Sequence, residues 1–105
     1  MTGISTHVLD AALGRPAVGV PVRLEGPAGV LATAITDGDG RVGVLTAGPV
    51  APGTYRLVFG TAEYFTATGQ RGFYPEVSIA FTVEEGQYHV PLLLSPFAYS
   101  TYRGS

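Results

Sequence analysis

The sequence has no cysteine, no lysine and no long apolar run, and each absence closes off a class of protein. Without cysteine there is no disulfide and no thiolate chemistry, and the redox compartment stays open. Six arginines (Arg15, Arg23, Arg41, Arg56, Arg71, Arg103) carry all the fixed basic charge against eight acidic residues, leaving a net charge of −2. They form no basic patch, so nucleic acid, whose binding depends on neutralising phosphates, is not an expected partner. Apolar stretches are short, Val90 to Leu94 being typical, against the ~20 residues that cross a bilayer, and no membrane partner is expected. The opening MTGISTHVLD lacks the basic and apolar regions of a signal peptide, which points to a soluble, cytoplasmic chain.

Charge of either sign is scarce. Charged residues make up 13% of the chain, about half the ~25% usual for soluble domains, which suggests that other subunits cover part of the surface. The length of 105 residues fits a single domain, 1–105.

What the chain does have is alternation. Val77, Ile79, Phe81 and Val83 alternate with smaller or polar residues, as do Val20, Val22 and Leu24 with Pro21, Arg23 and Glu25, and Tyr55, Leu57 and Phe59 with their neighbours. A period of two marks strands with one face on a core. Turn signals at GRP (14–16), EGPAG (25–29), DGDG (37–40) and APG (51–53) separate these runs, and short strands punctuated this way make an all-β sandwich or barrel. About eight strands are expected, near 4–9, 20–25, 30–36, 41–45, 54–59, 75–84, 88–95 and 98–102. One short helix is expected over 61–69, with Ala62, Phe65 and Thr66 on one side and Gly69 at its end.

The two histidines lie inside predicted strands, where parity decides their direction. Tyr88, Val90, Leu92 and Leu94 form the apolar set of the long late strand, which puts His89 on the other face; Ile4, Thr6 and Val8 do the same for His7. If these strands are sheet neighbours, both imidazoles emerge on its outer face. Imidazole suits proton transfer near neutral pH, although a lone strand histidine is more often a hydrogen-bonded surface residue. TDGDGR (36–41) has a trace of a calcium loop, but Gly48 stands where the bidentate glutamate is needed, so it reads as a tight turn delivering Arg41. No GxSxG elbow or phosphate loop occurs, and two histidines without a third ligand argue against a dedicated metal site. Arg41 offers a fork of donors to paired oxygens or an oxo group. These residues suggest acid–base chemistry on a polar ligand and name no substrate.

STHVLDAALGRPA, TDGDGR, FYPEV, YHVPLLLSPF and the closing YRGS, in that order, resemble the 5-hydroxyisourate hydrolases, transthyretin-like enzymes of purine breakdown. The resemblance implies a sandwich of two four-stranded antiparallel sheets with one short helix, and a homotetramer, a dimer of dimers, with active sites in the channel between dimers. It implies hydrolysis of 5-hydroxyisourate to 2-oxo-4-hydroxy-4-carboxy-5-ureidoimidazoline without cofactor or metal. By the same resemblance His7, His89, Arg41 and Ser105 are catalytic, and His7, Arg41, Tyr102, Arg103 and Gly104 bind substrate. The last strand is expected to fold Phe97 and Tyr99 into the sandwich and subunit interface and to extend 102–105 into the channel. The rival expectations are a transthyretin-like carrier, a class that lacks this histidine, arginine and YRGS combination, and a plain structural β-sandwich module.

Overall fold

Buried and half-buried side chains alternate without a break through the first strand, β1 (Gly3–Asp10), with Ile4, Thr6, Val8 and Asp10 turned inward. The computed structural model describes residues 3–46 and 48–104. After β1 come β2 (Arg15–Pro16), β3 (Pro21–Gly26), β4 (Gly29–Ile35), β5 (Arg41–Val42), β6 (Gly53–Phe59), α1 (Thr61–Ala67), β7 (Val77–Val83), β8 (Gln87–Ser95) and β9 (Ala98–Thr101). One sheet runs β2-β1-β8-β9 with β5 also on β1, and the other runs β4-β3-β6-β7. Val8, Leu92 and Leu94 from the first sheet meet Leu24, Leu57 and Phe59 from the second, all fully buried. Each such side chain contributes about 1.5–3 kcal/mol relative to exposure.

The expected sandwich with its lone helix is present, and its first sheet contains one parallel pair. β1 and β8 run side by side from Gly3 opposite Gln87 to Asp10 opposite Leu94. A parallel pair needs a long crossover, and here most of the other strands intervene in sequence. The remaining pairings are antiparallel. β8 turns into β9 through Pro96 and Phe97, with Ser95 opposite Ala98.

The second edge of β1 is shared. Thr6 and His7 pair with Val42 and Arg41 of β5, whereas Leu9 and Asp10 pair with Pro16 and Arg15 of β2. Val8 bridges the two, its N–H donating to the Gly40 carbonyl (2.7 Å) and its carbonyl accepting from Ala17 (2.9 Å). Gly40 permits this because its φ is +73° and a Cβ there would collide with the Val8 carbonyl. The strand expected over 41–45 is two residues long, and beyond it the chain still reaches β1 through the Leu45 amide, which donates to the Ile4 carbonyl (3.1 Å).

At the far end of β1 the Asp10 carboxylate, 1% exposed, accepts four hydrogen bonds. The Ala12 and Leu13 amides bind one oxygen (3.0 and 2.8 Å), and the Tyr64 hydroxyl (2.6 Å) and Gln70 amide (3.0 Å) bind the other. Burial pushes its pKa up, but these hydrogen bonds outweigh burial and hold it below the usual carboxylate range. Tyr64, its own pKa raised by burial and then by Asp10, stays protonated and donates. This contact turns the helix: Thr61, Tyr64 and Phe65 face inward, and Ala62 and Thr66, expected on the buried side with Phe65, are exposed. The helix is far too short to cross a membrane, and no described helix is long and apolar enough to do so.

Candidate active site

On the outer face of the first sheet, parity and register bring three side chains to one place. His7 and His89 are both half-buried and on the face opposite the core, as alternation in β1 and β8 requires. Arg41 stands directly opposite His7 on β5, and Ser5 directly opposite His89 on the other side of β1. Ser5 and His7 are two residues apart on one strand, so the two imidazoles are diagonal neighbours on that face.

The turn that presents Arg41 also fixes His7. The Asp37 carboxylate accepts the Asp39 and Arg41 amides (2.9 and 3.0 Å), an Asx turn. The Gly40 amide donates to the Asp37 carbonyl (2.9 Å). Those two amide bonds lower the Asp37 pKa, with Arg41 and His7 charges adding to the effect. The Asp39 carbonyl then lies 2.9 Å from His7 Nε2. A carbonyl only accepts, so Nε2 carries hydrogen and a neutral His7 keeps its lone pair on Nδ1.

His89 is held differently. Its Nδ1 shares a 2.8 Å hydrogen bond with Ser5 Oγ. Its carbonyl accepts the Gly104 amide at 2.8 Å, and a Cβ on Gly104 would come within 2.6 Å of His89 Cδ2. The ring is therefore bounded by a hydroxyl at one edge and by glycine backbone at the other. Burial lowers the His89 pKa first, and the charges of Arg41 and His7 lower it further. Both effects favour the uncharged ring, the form that can accept a proton.

The tail follows β9 in unbroken register: Thr101 lies opposite Leu92 and Gly104 opposite His89. Between them Tyr102 spans Pro91, which has no N–H to donate, and the ladder is interrupted there. The Thr101 hydroxyl donates to the Pro91 carbonyl instead (2.7 Å). Alternation puts Tyr102 and Gly104 on the imidazole face, with Tyr102 58% exposed. Arg103 goes the other way, its guanidinium carbon 4.6 Å over the ring of the inward-facing Tyr88. His7, Arg41, His89, Tyr102 and Gly104 thus share a face, Arg103 does not join them, and Ser105 lies outside the described residues. Phe97 is 73% exposed in the single chain rather than folded into the sandwich, whereas Tyr99 meets Tyr74 edge-on at 5.2 Å.

Two contributors escaped sequence reasoning, Ser5 and the Asp39 carbonyl. Parity does put Ser5 on the same face as His7, but only the β1–β8 register sets it against His89. The site lies on a sheet face where His7 and His89 are half-buried and Arg41 is exposed. A concavity of 620 Å³ lies on the other sheet, lined by Arg23, Ile35, Val58 and Glu63 among others, and holds none of these residues.

A floor carrying two imidazoles and a guanidinium can move protons and stabilise an oxyanion. The HIUase/Transthyretin family model matches residues 4–104. This chain belongs to the HIUase/transthyretin family. Within it, the chain is 49% identical over 111 residues to the 5-hydroxyisourate hydrolase of Mus musculus, covering 97% of this chain and 94% of that protein. The structure of Klebsiella pneumoniae 5-hydroxyisourate hydrolase matches with a TM-score of 0.95 at 37% identity, covering 100% of both chains. Sea bream transthyretin in complex with thyroxine, from the same fold, matches with a TM-score of 0.87 at 32% identity over 97% of this chain and 94% of that one. Family fold alone leaves catalysis and carriage both open.

Proposed function

We propose that this chain is a hydrolase that opens the six-membered ring of 5-hydroxyisourate to give 2-oxo-4-hydroxy-4-carboxy-5-ureidoimidazoline. The observation that carries the reading is the gathering of His7, Arg41 and His89 on one outer sheet face. A ligand carrier has no need of it, and the higher identity to a hydrolase than to a thyroxine-bound transthyretin agrees. His89, uncharged because burial and neighbouring positive charge depress its pKa, takes a proton from water as the water oxygen bonds to the ring carbonyl next to nitrogen. Arg41 hydrogen-bonds the substrate oxo groups and the oxyanion that forms. The carbon–nitrogen bond then breaks, the nitrogen recovers a proton, and one water has been added in total. General base and oxyanion stabilisation each supply ~10² to 10³-fold, with no covalent nucleophile, metal or cofactor.

His7, tied to the Asp39 carbonyl through Nε2, orients substrate or relays the second proton. Tyr102 and Ser105 position substrate and water from the tail, and Gly104 admits the tail to the His89 ring. Arg103, turned to Tyr88, acts by anchoring the tail rather than by touching substrate. The working form is a homotetramer whose second dimer closes the open floor into a channel, which accords with the low charge content.

The test is to generate 5-hydroxyisourate freshly with urate oxidase and follow its absorbance decay with and without the protein. Acceleration at micromolar protein is expected. Decay at the spontaneous rate, with thyroxine binding in its place, would give the carrier reading instead.

A further inference from the structure

On the hydrolase reading of the chain, on which this step rests, we infer that Ser5 is a positioning residue that holds His89 in the Nδ1–H tautomer and so aims the Nε2 lone pair at the reacting water. Ser5 Oγ sits 2.8 Å from His89 Nδ1, across the parallel pair where the two residues are in direct register. A hydroxyl can donate to that nitrogen or accept from it, and the surroundings decide between the two. The charged or titratable groups whose fields reach the ring are Arg41 from β5 and His7 from β1, and both oppose its protonation. Arg103, the cation of the tail, is turned away over Tyr88.

A neutral ring beside positive charge is more stable with a lone pair, rather than an N–H, on its free nitrogen. Nε2 is that nitrogen, having no hydrogen-bond partner among the described residues, so Nδ1 carries hydrogen and Ser5 Oγ accepts it. Gly104 closes the other edge of the ring, its missing side chain letting the backbone pack against Cδ2, and the imidazole is left one open corner. The two histidines are then locked in opposite tautomers: His7 through Nε2–H to a carbonyl, and His89 through Nδ1–H to a hydroxyl. Base function belongs to Nε2 of His89, the nitrogen that needs Ser5 to keep it free.

The experiment pairs Ser5→Ala with Ser5→Thr in the full chain. Long-range proton–nitrogen NMR of the free wild-type protein should show His89 protonated on Nδ1, and Ser5→Ala should shift the population toward Nε2–H. The loss of one neutral hydrogen bond implies a fall in kcat of about tenfold in Ser5→Ala. KM should stay within about twofold, because the ring is the same size and charge, and Ser5→Thr, which keeps the hydroxyl, should recover most of the rate. Wild-type His89 protonated on Nε2, Ser5→Ala at full kcat, or Ser5→Thr as impaired as Ser5→Ala would each overturn the assignment. The NMR measurement uses no substrate, so a wild-type protein that fails to hydrolyse 5-hydroxyisourate condemns the functional reading separately from the tautomer.

Discussion

Replacing Gly104 by alanine puts a methyl group where the structure has no room for one. The new Cβ would lie 2.6 Å from His89 Cδ2 and 3.2 Å from its Cβ and Cγ. Ordinary contact begins near 3.4 Å, so the tail and the ring must separate by roughly 0.8 Å, and the question is which of them yields. Turning the imidazole ~30° off its rotamer costs about 0.5–1.5 kcal/mol, and breaking its bond to Ser5 costs about 1 kcal/mol more. Moving the tail only stretches the 2.8 Å bond from the Gly104 amide to the His89 carbonyl, a loss of at most about 1 kcal/mol. The tail therefore yields, and His89 stays in place.

The consequence for Gly104→Ala is a folded protein, destabilised by no more than about 1 kcal/mol, with Tyr102 displaced from the imidazole face. A misplacement of this order costs up to ~10² in rate, and we expect kcat to fall about 10- to 100-fold. Stopped-flow decay of freshly made 5-hydroxyisourate measures the rate, thermal melting the stability, and NMR the His89 tautomer, which should be unchanged. A kcat within twofold of wild type, or a His89 ring that shifts while the tail amides do not, would refute the reasoning.

Truncation of either imidazole, His7→Ala or His89→Ala, should lower turnover by at least ~10² if each moves a proton, and a folded variant near the wild-type rate removes its role. Deleting Tyr102 to Ser105 should abolish most activity and leave the sandwich's circular dichroism intact, since the core lies in β1, β3, β6 and β8; a truncated protein at full rate refutes the tail's part. Activity needs neutral His89, whose pKa lies below its ordinary ~6.5, so the acid limb of the pH–rate profile should have its midpoint below that value, and a midpoint above it contradicts the assignment.

The sandwich was legible because each long strand has one apolar face and bulky residues every second position. Parity alone carried His7 and His89 to the outer face, and the turn chemistry of TDGDGR delivered Arg41 as read. Other features depend on contacts between distant segments. β2 is two residues long and forms only because the end of β1 has an edge left over after β5 departs. The inward side of α1 was set by Asp10, 54 residues away from Tyr64, a pull that periodicity within the helix cannot register. Ser5 was visible as an outward residue, but its partner depends on a parallel register that no hairpin turn fixes. The direction of Arg103 depends on the tail keeping step with β8 past Pro91, where the ladder itself gives no guide.

The same strand, β1, carries two polar systems that do opposite things. Its inward end, Asp10, satisfies every lone pair it can with four donors, and so ties the helix and the following loop to the sheet. Its outward residues, Ser5 and His7, leave one imidazole nitrogen on each histidine without a partner among the described residues. Protons act on both systems in the same direction, but at different pH. Asp10 has a depressed pKa, so its stabilising effect is complete above the unfolded value of ~3.9 and is lost as pH falls through the folded one. His89 also has a depressed pKa, so between ~6.5 and its folded value the unfolded chain binds the proton first and stability slips. The imidazole is half-exposed, however, and solvent screening keeps that slip small. Protonating His89 silences the base, and protonating Asp10 removes the carboxylate that holds the helix and loop to the sheet. The contrast follows from strand geometry: alternate residues of one strand face a dry core and an open floor, so the saturated carboxylate of Asp10 and the outward imidazole of His7 are three residues apart.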